Sequence, residues 1–183
     1  SSQPELARTW FPCLDLPSKK ASRVSMQVRV PKPWVAVSNG RLSNVFEDPI
    51  DHNYQTFTWV HEFPISTYLI SLAVGSFNRI SDKYNNIPIE LYVSEELEQK
   101  ARLDFARTKE MLQLFEGLWG EYPFEKYAVV SVPLFSGAME HTTATTLSDN
   151  LINGEKLSEE TFAHELAHHW WGNQVTLKSW QDL

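Results

Sequence analysis

The feature that most constrains this chain is a run near its end, Glu159 to Asn173, EETFAHELAHHWWGN. Within it, His164-Glu165-Leu166-Ala167-His168 forms an H-E-x-x-H pattern. A helix makes chemical sense of that spacing. Residues four apart on an α-helix lie almost above one another, so His164 and His168 can share one metal ion. Two neutral imidazoles suit Zn²⁺ at about 2.0–2.1 Å, and the adjacent Glu165 can take a proton from a metal-bound water. The flanks agree. Ser158 stands where an N-cap belongs, Glu159 and Glu160 fall in the first turn, where carboxylates favour the positive helix end, and Gly172 supplies the stop. Phe162, Leu166 and Trp170 recur every four residues and give a core-facing stripe. His169 points about 100° away from His168, toward packing or surface rather than metal.

Such a helix needs a core to pack on. The chain has 183 residues, 42% of them apolar, with 7 Trp, 10 Phe and 6 Tyr, enough for one or two domains. The net charge is −7 with no basic patch, which argues against nucleic acid as a partner. Cys13 is the single cysteine, so no internal disulfide can form and the compartment stays open. No apolar run reaches the roughly 20 residues of a membrane span, and the opening SSQPELARTW has no signal-peptide pattern.

Residues 1–86 read as β-structure. Val24, Met26, Val28 and Val30 alternate on one face of a strand over Ser22–Val30. Asn39-Gly40 is a two-residue hairpin signal. Tyr54–Phe63 alternates again, and Ser66–Phe77 reads as a longer apolar strand. The composition shifts over Ser81–Pro88, which places a boundary near 86/87. Beyond it, Ile89–Val93 reads as a strand, and Ser94 as the cap of one long helix reaching Trp119. Lys126–Phe135 is a strand leading into Gly137-Ala138-Met139-Glu140-His141, and Gln174–Leu177 is a candidate strand after the histidine helix. The fold class expected is α+β: a partial antiparallel β-domain (1–86), then the N-terminal part of a thermolysin-like mixed α/β domain (87–183).

GAMEH followed by HELAHHWWGNQVT resembles the zinc aminopeptidases of the aminopeptidase N and leukotriene hydrolase group, a branch of the gluzincins. Their paired signatures read G-x-M-E-N and H-E-x-x-H. RTWFPCLDLPSKKASRV is similar to the family's β-domain stretch, and the likeness runs along essentially the whole chain. The resemblance implies one zinc ion held by His164 and His168, with Glu165 as general base. It implies that Glu140 binds the free α-amino group of a peptide, and that Gly137 and Ala138 offer backbone groups to the substrate as to an added strand. Gln3 stands where the family often has a further contact to that amine. An exopeptidase must recognise a terminal charge, and a carboxylate in a dry cleft attracts an ammonium strongly. The gap of 24 residues from Glu140 to His164 (164 − 140) resembles the leukotriene hydrolase branch.

An endopeptidase on the same scaffold would have no use for an amine anchor. An epoxide hydrolase is compatible with these residues, and a non-catalytic peptide binder is opposed by the intact His164, Glu165 and His168. His141 stands where the family has Asn. In relatives a third ligand, a Glu, follows the second histidine by roughly nineteen residues, which would fall past Leu183. SWQDL (Ser179–Leu183) resembles the run before it, and Asp182 reads as a helix cap or a partner of a ligand histidine. The chain therefore reads as an internal piece of a longer protein. The 183-residue polypeptide alone is expected to bind zinc weakly or not at all and to leave an aminoacyl chromogenic amide uncleaved. Turnover comparable to that of a full-length relative would refute this.

Overall fold

The computed structural model describes residues 2–182. Strand alternation organises the first half into seven short strands: β1 (Lys20–Ala21), β2 (Val24–Pro31), β3 (Val35–Ser38), β4 (Arg41–Glu47), β5 (Tyr54–His61), β6 (Ile65–Ser66) and β7 (Leu72–Gly75). They form an antiparallel sheet in the order β2-β5-β4 and two antiparallel pairs, β3 with β7 and β1 with β6. Along β2 the period-two reading holds: Val24, Met26, Val28 and Val30 turn inward while Ser25, Gln27 and Arg29 face solvent.

Two local expectations change. Asn39-Gly40 does not close a hairpin, because β3 and β4 belong to different sheets. It is a corner. The Asn39 amide donates to the carbonyls of Leu69 (2.9 Å) and Thr142 (2.6 Å) and accepts from the Ser71 N–H (2.8 Å). The Gly40 N–H donates to the Thr143 hydroxyl at 2.6 Å. These long-range bonds outweigh the local hairpin preference and tie the β-rich half to the segment just after Glu140. The stretch 66–77 is likewise not one strand: a 3-10 turn at Thr67–Leu69 divides β6 from β7 and buries Tyr68 and Leu69.

The second half is built on a five-stranded mixed sheet. Its members are β8 (Asn78–Tyr84), β9 (Ile87–Val93), β10 (Tyr127–Val132), β11 (Ala138–Met139) and β12 (Thr145–Ser148), in the order β11-β12-β10-β9-β8. The inner strands β9, β10 and β12 run parallel, and the edges β8 and β11 antiparallel. The 86/87 division lies inside the β8–β9 hairpin, whose turn holds Asn85 at φ 51°. By sheet membership the change comes at Ser76–Phe77.

Between β9 and β10 the chain crosses over through α1 (Glu98–Asp104) and α2 (Thr108–Trp119), not through one continuous helix, and Ser94 makes no side-chain cap. At the break, Thr108 donates its hydroxyl to the Phe105 carbonyl at 2.8 Å. The buried Asp104 carboxylate accepts the backbone N–H groups of Asn153, Gly154 and Lys156 at 2.8–2.9 Å. That tertiary demand on Asp104 explains the interruption. Phe105 then stacks on Phe162 with ring centroids 4.3 Å apart.

Both faces of the central strands are covered. Ile89, Leu91, Val93, Tyr127 and Val129 pack toward the helices, while Tyr92, Ala128 and Val130 pack against Val30, Val37, Phe57 and Trp59 of the β-rich half. Strands buried on two sides read as continuous apolar runs, as IELYV and YAVVSV do. A third cluster, Ile65, Tyr68, Leu69, Ile70 and Met139, lies where the halves meet. No helix among the described residues is long and apolar enough to cross a membrane.

The Gly40 corner yields a stability prediction. Its φ is +80°, and a Cβ there would lie 2.1 Å from the Val60 carbonyl oxygen. Gly40→Ala should destabilise the fold by about 3 kcal/mol, since it combines a left-handed backbone with a backbone clash. The expected readout is a lower urea midpoint at unchanged slope.

Candidate active site

The histidine-bearing helix is α3 (Glu159–Ala167). Phe162, Leu166 and Trp170 are buried at 2%, 0% and 2% exposure, so the four-residue stripe does face the core. The Trp170 indole also donates to the Gly120 carbonyl at 3.1 Å. The helix is shorter than expected. His168 is its C-cap and still donates its N–H to the His164 carbonyl at 3.1 Å, after which His169 and Trp170 tighten to i→i−3 bonds. Ser158 makes no side-chain cap. Gln174–Leu177 is not a strand: residues 172–175 fold back, with a single bridge between Trp171 and Val175. Asn173, Gln174 and Val175 return their N–H groups to the carbonyls of His168, His169 and Trp170.

Because α3 keeps its regular twist through His168, the two rings converge. Their Nε2 atoms lie 3.0 Å apart, with ring centroids 4.5 Å apart and planes at 90°. Two imidazole nitrogens on one tetrahedral zinc would stand about 3.3 Å apart. His168 donates Nδ1–H to the Trp171 carbonyl at 3.0 Å, which leaves its Nε2 lone pair directed at His164. Glu165 is buried at 6% exposure, and its Oε2 has no hydrogen-bond partner. Burial first, and then the charge of Glu140, push the Glu165 carboxyl up to about 8. The convergent imidazole pair supplies two nitrogen donors of the kind that suit Zn²⁺. Among the described residues no cluster of three or more His, Cys, Asp or Glu is arranged to hold a metal ion.

A cleft of about 610 Å³ opens over this pair. It is lined by Gln3, Ala138 and Glu140 as well as by His164, Glu165 and His168, so residues from the first turn of the chain, the sheet edge and the helix share one space. Glu140 follows β11 and is 7% exposed. Ala138 is on β11, an edge strand paired only with β12. Gly137 stands apart: it lines a separate shallow depression, at φ +78°, and its carbonyl accepts the Ser148 N–H at 2.8 Å. The walls that sequence reasoning missed are Tyr68, Met139, Trp171 and Trp180, with Val175 to Leu177. Tyr68 packs edge-on against Trp180 at 4.9 Å, and burial together with the Glu140 charge raises its hydroxyl well above the ordinary tyrosine range. Met139 belongs to the GAMEH run, but no local pattern marks Tyr68, and the folding-back of 172–182 is what brings Val175 to Leu177 and Trp180 to the cleft.

His169 and His141 make buried contacts outside the cleft. His169 is fully buried; its Nδ1 meets the Tyr122 hydroxyl at 2.6 Å, and that hydroxyl donates to the Lys126 carbonyl. His141 is buried with Nδ1 on the Thr146 hydroxyl at 2.8 Å, and lines a neighbouring hollow with Ile70, Leu72 and Phe135 rather than the cleft. Asp182 caps Ser179 through its N–H and hydroxyl, as a helix-cap aspartate would.

Comparison with known proteins gives a consistent result. Residues 1–69 match the Peptidase M1 N-terminal domain, and residues 103–183 the Peptidase family M1 domain. The chain is 34% identical to glutamyl aminopeptidase of Mus musculus over 99% of its length, and 32% identical to probable aminopeptidase 2 of Sulfurisphaera tokodaii over 97%. It spans 20% and 23% of the length of those relatives. The crystal structure of an M1 zinc metallopeptidase from Deinococcus radiodurans superposes with a TM-score of 0.84 at 28% identity, covering 98% of this chain and 40% of that one. A two-domain M1 zinc metallopeptidase solved with L-arginine gives 0.85 at the same identity, over 98% of this chain and 41% of its own. The chain belongs to peptidase family M1, and the α+β architecture is that of the family.

The buried histidines give the fold an acid limb. Burial lowers His141 and His169 to about 3, so the unfolded chain takes up their protons first. Their stabilisation is complete above about pH 6.5 and is lost as pH falls toward 3. Between pH 7 and 5, His141→Asn should lose about 1–2 kcal/mol less stability than the parent in urea titrations.

Proposed function

We propose that this chain carries the zinc-binding and amine-recognition parts of a metallo-aminopeptidase that releases N-terminal residues from peptides. One observation carries the reading: the converged Nε2 atoms of His164 and His168, 3.0 Å apart, open into the same cleft as Glu165 and Glu140. His164 and His168 would hold the ion. When bound, zinc supplies a Lewis acid that polarises the scissile carbonyl.

The chain's own residues do the rest. Glu140 pairs with the substrate ammonium and counts one residue from the end, and Gln3, which lines the same cleft, assists. Burial of Glu140 strengthens that pairing. The outer edge strand β11 receives the peptide backbone at Ala138 as an added strand; Gly137 assists through the shape of the bend just before it. Glu165 takes a proton from the attacking water as oxygen adds to the carbonyl carbon. It returns that proton to the amine as the C–N bond breaks. The family likeness and the solved relatives, which are zinc metallopeptidases, support this reading. By itself the 183-residue chain supplies two imidazoles to the metal, and on this reading it holds zinc weakly.

The test uses the zinc-loaded full-length protein, with alanine p-nitroanilide and its N-acetylated form as substrates. The free amine should be cleaved and the blocked one not, with activity lost to a zinc chelator. Glu165→Gln should lower kcat by about 10²–10⁴ with zinc retained. Glu140→Gln should raise KM about tenfold or more, the loss of one charge-assisted contact. Equal turnover of free and acetylated substrates would sink the reading.

A further inference from the structure

The groups assigned above come from two different elements: Glu140 follows the edge strand β11, and the histidine pair is on α3. An amine anchor works only at a set distance from the metal pair. We propose that Asn173 and Lys20 are positioning residues that fix this distance, forming a strut from the β-rich half of the chain to both parts of the site.

Asn173 is 1% exposed and touches both main chains. Its Nδ2 donates to the Glu140 carbonyl at 2.8 Å, and its own N–H donates to the His168 carbonyl at 3.0 Å. Lys20 grips the same residue from the opposite side. Its ammonium donates to the carbonyls of Asn173 (2.8 Å) and Gln174 (2.9 Å), across 153 and 154 residues of sequence. Lys20 lies on β1 in register with Ser66 of β6, which leads directly into the cleft residue Tyr68.

The loop between is shaped for close approach. Gly172 has φ +135°, and a Cβ there would sit 3.2 Å from His168 Nδ1, so glycine leaves room for the ring that bonds the Trp171 carbonyl. The charge-assisted bonds from Lys20 hold the loop, the loop holds the His168 carbonyl, and the Asn173 amide carries that constraint to Glu140. Displacements of about 1 Å at such a site cost up to about a hundredfold in rate, which is why a strut matters.

Asn173→Ala, Lys20→Met and Lys20→Arg test this. The first measurement, backbone hydrogen exchange followed by mass spectrometry on the chain, needs no activity. Both Asn173→Ala and Lys20→Met should raise exchange about tenfold in 138–142 and in 172–176 together, and Lys20→Arg, which keeps the donor, should restore the parent rates. The proposal is overturned if Lys20→Met loosens 172–176 alone. The second measurement rests on the aminopeptidase reading: in the zinc-loaded full-length protein both variants should raise KM for alanine p-nitroanilide about fivefold to tenfold at unchanged zinc content. A drop in kcat and melting temperature with unchanged KM would mark them as merely structural and also overturn the proposal. If the parent protein shows no affinity for amine-bearing substrates, the aminopeptidase reading fails, and the exchange result still decides whether the strut exists.

Discussion

The structure depends on one buried helix face. Phe162, Leu166 and Trp170 lock α3 against the aromatic layer beside α1, α2 and Tyr122, and that packing sets which way the face carrying His164 and His168 points. Two imidazoles on a freely rotating surface helix would also lie one turn apart, but they would face no cleft. Here the stripe removes the rotational freedom, the i, i+4 spacing aligns the rings, and the Trp171 carbonyl sets the His168 tautomer. The convergence of the two rings is thus a consequence of apolar burial on the opposite side of the same helix.

The cleft combines this with charge. Glu140 and Glu165 are both buried and both carboxylates, an arrangement that is costly unless a cation enters. An incoming ammonium and a divalent ion would each relieve part of that cost. The unsatisfied Glu165 oxygen is the local sign of the same tension. The rest of the lining includes neutral side chains, Tyr68, Met139, Trp171 and Trp180, that add apolar surface to the cleft.

The β-rich half is more than a neighbour. Beyond the Lys20 contacts, the buried Lys126 of the second half lies 4.1 Å over the Trp59 ring and donates to the Ser38 carbonyl at 3.3 Å. His61 meets Glu125 at 2.9 Å, and Asn39 and Gly40 bond Thr142 and Thr143. Burial pushes Lys126 down to about 7, with the Glu90 and Glu125 charges opposing. Polar seams of this kind specify one register between layers more strictly than apolar contacts do. The Asn39 and Gly40 bonds end at Thr142 and Thr143, two and three residues past Glu140.

Sequence alone determined what periodicity and short-range chemistry can encode. That covers the H-E-x-x-H helix and its buried stripe, the alternation of β2, the α+β class, and the turning of His169 away from His168, because each rests on spacing within a few residues. Strand β5, expected to alternate, is instead buried on both faces over much of its length. Tertiary structure decided the rest. Asn39-Gly40 became a corner because its side chain and N–H found partners about a hundred residues away. The helix after Ser94 broke because Asp104 was claimed by the 153–156 backbone, and Asn173, Lys20 and Tyr68 joined the site only through contacts that no local pattern announces. Short-range preferences are each worth under a few kcal/mol, so a long-range bond made in a buried place overrides them, and those bonds exist only once the chain has closed on itself.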